Sequence, residues 1–591
     1  MLRLPPSPTL RLLAASVRSR RLRLIAAILL ALASAAAGIA APLLISRLIT
    51  ALGRHTSLVL IVVELAGCAL VGAFAGGWSS YLLSSVGERG VADVRIALAR
   101  HTVSLPLTTV RRLGVGELVS RLGADAAQLR AITDTGVTAL PVSAVMVAAY
   151  LTVMGLLDWI LLLVTVGTFA VASVAIRGFL VGMRKGAHKQ QAALGRLAQS
   201  AQSVFATVST VKAFRAESRA VKPLELQADS AAAAATRTAR SQAAISPLMG
   251  LGQQIAIVGV LAVGGARLTS GSVSIAHFMA FLMYLFQLVN PLMTLAQGAG
   301  RIQVGTAAAA RLDEILDAEP EPLRTGPAPE VPAHAPAVVL RDVRVELAGK
   351  PVLDGVSLQV PRNGLVAVVG PSGAGKSTLL NLVEHFVEPS GGSVELLGTE
   401  LAAWPLVDAR RRMALVEQAE GMLYMSIRQN LCLGRDDRPS DEVLYDALRQ
   451  VGLDDAVRAL PDGLGTELGE GDRMSGGELQ RLAIARAVLT DAQILLLDEP
   501  SAHLDGANEA LLVRLLERLG RDRAVVVVAH RLSTISAAHS IVVMESGRVV
   551  AVGNHAELLA TSPTYRTLAQ AQAEAAASTG AEPAQLQGQG A

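Results

Sequence analysis

The sequence predicts a multi-domain chain, a six-helix all-α transmembrane domain followed by an α/β phosphate-loop domain. Three observations carry that prediction. Apolar stretches of membrane-crossing length, roughly 20 residues, fall almost entirely before residue 300. A Pro-rich segment, Asp317 to Pro336, then blocks helix and strand alike. Beyond it, short β-branched runs alternate with helical stretches, the pattern of a sheet covered by helices. The predicted boundaries are residues 1–317 for the membrane domain with long cytoplasmic extensions, 318–336 for the linker and 337–572 for the α/β domain. Residues 573–591 lack a core-forming pattern, and disorder is expected there.

Of 591 residues, 51% are hydrophobic and 17% charged, and the mean hydropathy is +0.45. That balance excludes a disordered or acidic tail-like protein, and the length implies more than one core. Two cysteines cannot build a disulfide framework. Lys and Arg number 53 against 49 Asp and Glu, and a net charge of +4 gives no sign of a nucleic-acid partner.

The first apolar run, Leu24 to Ile45, holds no charge, and the second, Leu58 to Val86, is broken by Glu64 and by polar residues near its end. Gly136 to Leu157 and Trp159 to Ile176 are split by Asp158 alone. Ala243 to Ala266 and Ile275 to Ala299 are split by a loop of Gly, Ser and Thr. These are six candidate spans in three hairpins. Arg11, Arg18, Arg20, Arg21 and Arg23 precede the first span, and the segments Glu88 to Arg130 and Arg184 to Arg240 are long and basic. The charge asymmetry therefore sets the N-terminus, both long segments and the C-terminal half in the cytoplasm of a multi-pass inner-membrane protein. The N-terminus also resembles a signal peptide, but its apolar run exceeds an ordinary h-region and its removal would leave five spans. Helical periodicity over Val91 to Arg100, Glu117 to Ile132 and Lys189 to Ala239 predicts that the spans continue into the cytoplasm as helices. Separate interfacial helices are the alternative.

Leu365 to Val369 is a short apolar strand. It runs into Gly370-Pro371-Ser372-Gly373-Ala374-Gly375-Lys376-Ser377-Thr378 and then into helical Leu379 to Leu382. This is G-x-x-x-x-G-K-[ST] in the strand–loop–helix context it needs. Glycines let backbone N–H groups close around phosphates, and the helix N-terminus adds partial positive charge. Lys376 is expected to reach the β- and γ-phosphates, and Ser377 to ligate Mg²⁺. Ile494 to Leu497 is a second buried strand, ending in Asp498-Glu499. Asp498 is the expected metal-side carboxylate, and Glu499 the general base for the attacking water. Val525 to Ala529 is a third strand, ending in His530. A strand-end histidine standing alone is more often structural. Beside the other two strand ends, it could touch the γ-phosphate or hold the water and Glu499. Ser475-Gly476-Gly477-Glu478 opens a helical run and is a second anion-binding element. One nucleotide does not need two cradles, so this element is expected to bind the γ-phosphate of a nucleotide held by a partner domain. A plain helix cap is the alternative.

The order of these motifs, with Gln418 after the phosphate loop and Ser501-Ala502-His503-Leu504-Asp505 after Glu499, resembles the ATP-binding-cassette transporters. Six spans and one nucleotide domain resemble a half-transporter with the exporter-type membrane fold, over about residues 20 to 570. The resemblance implies an ATPase that uses ATP and Mg²⁺ to move a small molecule, lipid or peptide across the bilayer as a homodimer or heterodimer. It also implies roles. Gln418 would complete the Mg²⁺ shell and contact the membrane domain, Ser475 and Gly477 would bind the γ-phosphate across the dimer, Asp505 would couple the two ATP sites, and His530 would be the switch histidine. Thr108 to Leu118 and Ser209 to Glu217 resemble the coupling helices that insert into nucleotide domains.

Three departures stand out. Leu347 occupies the position of the usual adenine-stacking aromatic, Met474 replaces a leucine, and Glu478 replaces a glutamine. The spans offer few polar groups: Glu64 in the second, and Gln253, Gln254, Gln287, Asn290 and Gln297 in the last two. Pro247 and Pro291 are expected kinks. Phe278, Phe281, Met283, Tyr284 and Phe286 either pack helices or line an apolar cavity. A channel or regulator that binds ATP without pumping, a kinase or GTPase sharing the phosphate loop, and an importer of metal–siderophore complexes are the rivals. Glu499 and His530 argue against the first, and the Ser-Gly-Gly-Glu element argues against the second. The motifs do not set direction.

Overall fold

The computed structural model describes residues 7–54, 57–322, 326–347, 349–418, 421–469, 474–502 and 504–578, apart from some side chains within 175–188 and 241–246 and those of residues 299 and 575–578. The described residues form two compact units, one within 1–105 and 113–319, the other within 106–112 and 320–591.

The first unit is helical. Its long helices are Arg21–Gly53, Val59–Val103, Leu140–Leu157, Trp159–Ala206, Glu217–Thr269 and Ile275–Leu316. The second span thus continues as one helix through Val91 to Arg100. Among the described residues, five stretches are long and apolar enough to cross a bilayer: Arg21–Gly53, Val59–Val103, Val115–Leu157, Pro247–Thr269 and Ile275–Leu316. The other expected span opens the helix Trp159–Ala206 as a shorter apolar stretch, Trp159–Val174. Side chains such as Phe74 (77% exposed) and Leu156 (82%) point outward on these helices. Apolar exposure on that scale suits lipid and not water.

Polar residues between paired spans act as caps. Asp158 Oδ1 accepts from the N–H groups of Ile160 (2.9 Å) and Leu161 (3.0 Å), starting the helix that follows. Its Oδ2 takes Arg267 Nε at 2.8 Å, so a buried carboxylate is both bonded and charge-paired. Phe278, Phe281 and Tyr284 are buried with Tyr150 and Met154 in one apolar cluster, so they pack helices, while Phe286 is exposed. Gln287 accepts a hydrogen bond from Tyr150 Oη at 3.0 Å. Pro247 and Pro291 lie inside continuous helices.

Glu117 to Ile132 is less regular than predicted. Its backbone passes through π-helical turns at Arg121–Asp125 and Ile132–Ala139. Pro141 follows the second; its ring cannot accommodate a regular helical carbonyl one turn earlier, and a widened turn relieves the clash. Gly298 and Gly305 of the helix Ile275–Leu316 press on this segment. A Cβ on Gly298 would lie 2.5 Å from Leu140 Cδ2, and one on Gly305 2.5 Å from Ile132 Cγ1.

The second unit holds two sheets. Strands β1 (Val338–Leu347), β2 (Lys350–Val360), β4 (Gly391–Leu396) and β5 (Thr399–Glu400) form an antiparallel sheet in the order β2-β1-β4-β5. Strands β3 (Gly364–Val369), β6 (Met413–Val416), β7 (Ile494–Asp498), β8 (Ala524–Val528), β9 (Ser540–Glu545) and β10 (Arg548–Gly553) form a second sheet in the order β10-β9-β3-β8-β7-β6. β3, β8 and β9 run parallel, as do β6, β7 and β8. Every residue of β3 and β8 is buried, as parallel strands covered on both faces require. Between Leu316 and Val338 the described residues form neither helix nor strand. The final helix, Pro563–Ser578, runs past Ala573, where disorder was expected. Ala-rich sequence favours helix without needing a core of its own. Residues 579–591 lie outside the described residues.

Glu384 ends the helix after the phosphate loop. It is 4% exposed, and its Oε1 has no partner among the described residues. Burial pushes its carboxyl up to about 7, against the pull of Arg410. Between the ordinary value of 4.5 and about 7, the folded chain holds a proton that the unfolded chain has lost. Stability is therefore lost as pH rises through that window and levels off above it. Glu384→Gln is expected to leave thermal stability unchanged near pH 5 and to raise it at pH 8, by about 3 kcal/mol. Melting curves of both proteins at the two pH values check this.

Candidate nucleotide site

The site forms where three parallel strands end. Val368 of β3 lies beside Val528 of β8, and Val528 lies beside Asp498 of β7. That register brings the phosphate loop, His530 and Asp498-Glu499 to one sheet edge, outside the carboxyl ends of the strands, where open α/β sheets bind ligands.

The loop closes tightly. A Cβ on Gly370 would lie 2.2 Å from Met544 O. Gly375 has φ +96°, and a Cβ there would meet Leu353 Cδ2 at 2.8 Å, so neither position accepts a side chain. The helix Lys376–Val383 follows at once. Lys376 is 7% exposed and donates from Nζ to Gly370 O (2.9 Å) and Pro371 O (3.0 Å), which places its charge across the mouth of the loop. Burial lowers its pKa, while Glu499 and Asp498 pull it back up.

Asp498 is held by surroundings of mixed sign. Burial pushes its carboxyl up; a hydrogen bond from Ser377 and the charge of Lys376 pull it down. Among the described residues its buried Oδ1 has no partner, so one carboxylate oxygen beside the Ser377 hydroxyl is ready to accept. Among the described residues no group of three or more His, Cys, Asp or Glu could hold a metal. The donor set, one hydroxyl and one orphaned carboxylate oxygen, fits Mg²⁺, which binds through one or two protein oxygens together with phosphate oxygens and water.

Glu499 is the centre of a bonded trio. Gln418 Nε2 donates to its Oε2 at 2.9 Å, and His530 Nε2 lies 3.0 Å from its Oε1. Its backbone has φ +49°, a left-handed conformation uncommon outside glycine, locked by its N–H bonding to Val528 O at 3.1 Å. Strand order joins Gln418, Glu499 and His530, although more than 110 residues separate the first from the last.

The other predicted residues sit apart. Ser475 precedes the helix Gly476–Val488, and Glu478 Oε2 accepts from both Ser475 N (2.7 Å) and Ser475 Oγ (2.9 Å). Asp505 caps the helix Gly506–Gly520 by accepting from Asn508 N at 2.9 Å. Among the described residues, neither element is bonded to the phosphate loop of the same chain. Leu347 stands half-exposed at the tip of the β1–β2 hairpin, paired with Lys350.

Thr108 to Leu118 forms two short helices, Leu107–Leu113 and Val115–Ser120, divided at Gly114 (φ +80°). Residues 106–112 belong to the unit that holds the nucleotide domain, and Arg111 Nη2 lies 3.8 Å from Glu417 Oε1, next to Gln418. Ser209 to Glu217 contains the short helix Val208–Ala213. Sequence reasoning missed Arg481, Asn508, Glu509 and Arg531, which bond around Asp505 and His530. Arg531 directly follows the strand-end histidine, which was the one signal available.

Residues 24–292 match the family described as ABC transporter transmembrane region, and residues 353–502 match the family described as ABC transporter. The chain is 32% identical over 491 residues to an ATP-dependent lipid A-core flippase of Desulfotalea psychrophila, covering 82% of this chain and 85% of that one. It is 29% identical over 531 residues to a multidrug resistance ABC transporter ATP-binding and permease protein of Lactococcus lactis subsp. cremoris, covering 89% of each. Its fold matches a bacterial Atm1-family ABC exporter solved with ATP bound, with a TM-score of 0.80 at 24% identity over 94% of this chain and 98% of that one. Motif order, strand register and relatives agree: the chain belongs to the ABC transporters, with an exporter-type transmembrane region and an ABC nucleotide-binding region on one polypeptide.

Proposed function

We propose that this chain is one half of a dimeric exporter that hydrolyses ATP to move an amphipathic small molecule, lipid or peptide out across the inner membrane. The N-terminus and nucleotide domain face the cytoplasm. The observation that carries the hydrolytic reading is the Glu499 carboxylate held between Gln418 and His530 at the mouth of the phosphate loop.

Glu499 acts as general base, taking a proton from the water that attacks the γ-phosphorus; the products are ADP and phosphate. Gln418 and His530 fix the carboxylate so that one oxygen faces that water. Lys376 and the backbone N–H groups of Ser372 to Thr378 balance charge on the β- and γ-phosphates. Mg²⁺ would be held by Ser377, with Asp498 and Gln418 around it, and when bound supplies further charge neutralisation on the phosphate oxygens. Ser475, Gly476, Gly477 and Glu478 serve the γ-phosphate of the partner chain's nucleotide, and Asp505 joins the two sites. ADP lacks the γ contacts, so hydrolysis removes the differential affinity that keeps two nucleotide domains closed. The segment around Arg111 reports closure to the membrane helices.

Two relatives support the cargo class, one named a lipid A-core flippase and one a multidrug resistance transporter. Exposed Glu64, Asn290 and Gln297 within the apolar stretches of their helices suit an amphipath. ATPase turnover in lipid nanodiscs, measured against a panel of cationic amphiphiles, phospholipids and hydrophobic peptides, tests the reading. Stimulation by one class identifies the cargo; hydrolysis indifferent to all of them favours a regulator.

Adenine is held by an aliphatic surface at Leu347. Leu347→Tyr is expected to lower the Michaelis constant for ATP, since an aromatic–base stack contributes about 1–3 kcal/mol. Turnover at saturating ATP is expected to stay unchanged, and steady-state kinetics separate the two.

A further inference from the structure

Glu509, in the first turn of the helix Gly506–Gly520, is 11% exposed in its side chain and carries two bonds. One carboxylate oxygen takes Arg531 Nη1 and the other takes the Ser533 hydroxyl. The second nitrogen of Arg531, Nη2, donates to Leu504 O at 3.2 Å. Arg531 is the residue after His530, and Leu504 is the residue before Asp505. One guanidinium therefore fastens the end of β8 to both sides of the Leu504–Asp505 turn.

The far side of that turn is also fixed. Asn508, whose N–H is capped by Asp505, accepts Arg481 Nη1 at 2.7 Å. Arg481 lies on the helix that Ser475 opens, and its Nε donates to Gly477 O at 3.4 Å. The turn thus sits between the helix Gly476–Val488 on one side and the His530 strand end on the other.

We propose that Glu509 and Arg531 are positioning residues for hydrolysis, fastening the Leu504–Asp505 turn to His530 so that the turn's position sets where the imidazole meets Glu499. The two arms of Arg531 matter, one on Glu509 and one on Leu504 O, because a planar guanidinium transmits direction as well as charge. Movement of the helix Gly476–Val488 then reaches the chain's own Glu499 through Arg481, Asn508, the turn and Arg531. Both positioning residues act through protein groups: Arg531 through Glu509 and Leu504 O, Glu509 through Arg531 and Ser533. This rests on the reading of Glu499 as base with His530 beside it.

The test uses the full chain in nanodiscs, with Glu509→Gln and Arg531→Lys as mild variants and Glu499→Gln as control. Arg531→Lys keeps the charge facing Glu509 and loses the second arm to Leu504. Both variants are expected to lower kcat by about tenfold, in line with the cost of small misplacements of catalytic groups. KM for ATP should stay within about twofold, because binding groups are untouched. Melting temperature should be unchanged, and the pair Glu509→Gln with Arg531→Lys should be no worse than either alone, since both break one fastening. Wild-type kcat in both variants overturns the proposal, and so does a fall in kcat matched by lost thermal stability or by a raised KM. If Glu499→Gln stays active, the reading of the base itself has failed. If it is inactive while the two variants are normal, the positioning role alone has failed.

Discussion

Glu499→Gln should cut ATP turnover by about 10²–10⁴-fold, the range a positioned general base contributes, while leaving ATP binding intact. The glutamine amide keeps the size of the carboxylate but cannot take a proton from water. It can still accept from Gln418 and bond His530, so the left-handed backbone at residue 499 need not move. With hydrolysis blocked and the phosphate cradle whole, ATP should accumulate on the protein. Phosphate release read beside bound nucleotide after gel filtration checks both halves. Turnover within a factor of a few of the wild type would remove Glu499 from its assigned role.

Lys376→Met should abolish hydrolysis for a different reason, by removing ATP itself. Met keeps much of the buried aliphatic stem and deletes the ammonium, whose charge-assisted hydrogen bonds contribute about 1.5–3 kcal/mol each. Two such bonds to phosphate oxygens correspond to at least roughly 10²-fold weaker ATP binding. The deletion also leaves Gly370 O and Pro371 O without their donor, which loosens the loop. A fluorescent ATP analogue titrated into both mutants separates the cases: Glu499→Gln binds and Lys376→Met does not.

The phosphate loop was legible because its chemistry needs contiguous residues, Gly370 to Thr378, and a strand and a helix immediately around them. Asp498, Glu499 and His530 were legible as the last residues of apolar runs, since strand ends are where open sheets place chemistry. What joins them was not. Gln418 meets Glu499 only because β7 lies between β8 and β6, an order that no local pattern encodes. The same holds for Glu509, which reads in sequence as one more surface charge on an amphipathic helix. Glu384 was missed because a single acid after Leu382-Val383 looks like a helix end meeting solvent. The membrane helices were legible from length and apolarity. The π-helical turns before Pro141 were not, since a proline near a span boundary equally suits a helix start.

ATP-dependent movement of a labelled amphipath across a sealed proteoliposome containing only this chain is the most direct measurement. The label should cross when ATP meets the nucleotide domains, and should not cross with a non-hydrolysable analogue or in Glu499→Gln. Equal movement with and without hydrolysable ATP, or ATP turnover that moves no amphipath in either direction, would contradict an ATP-driven transporter.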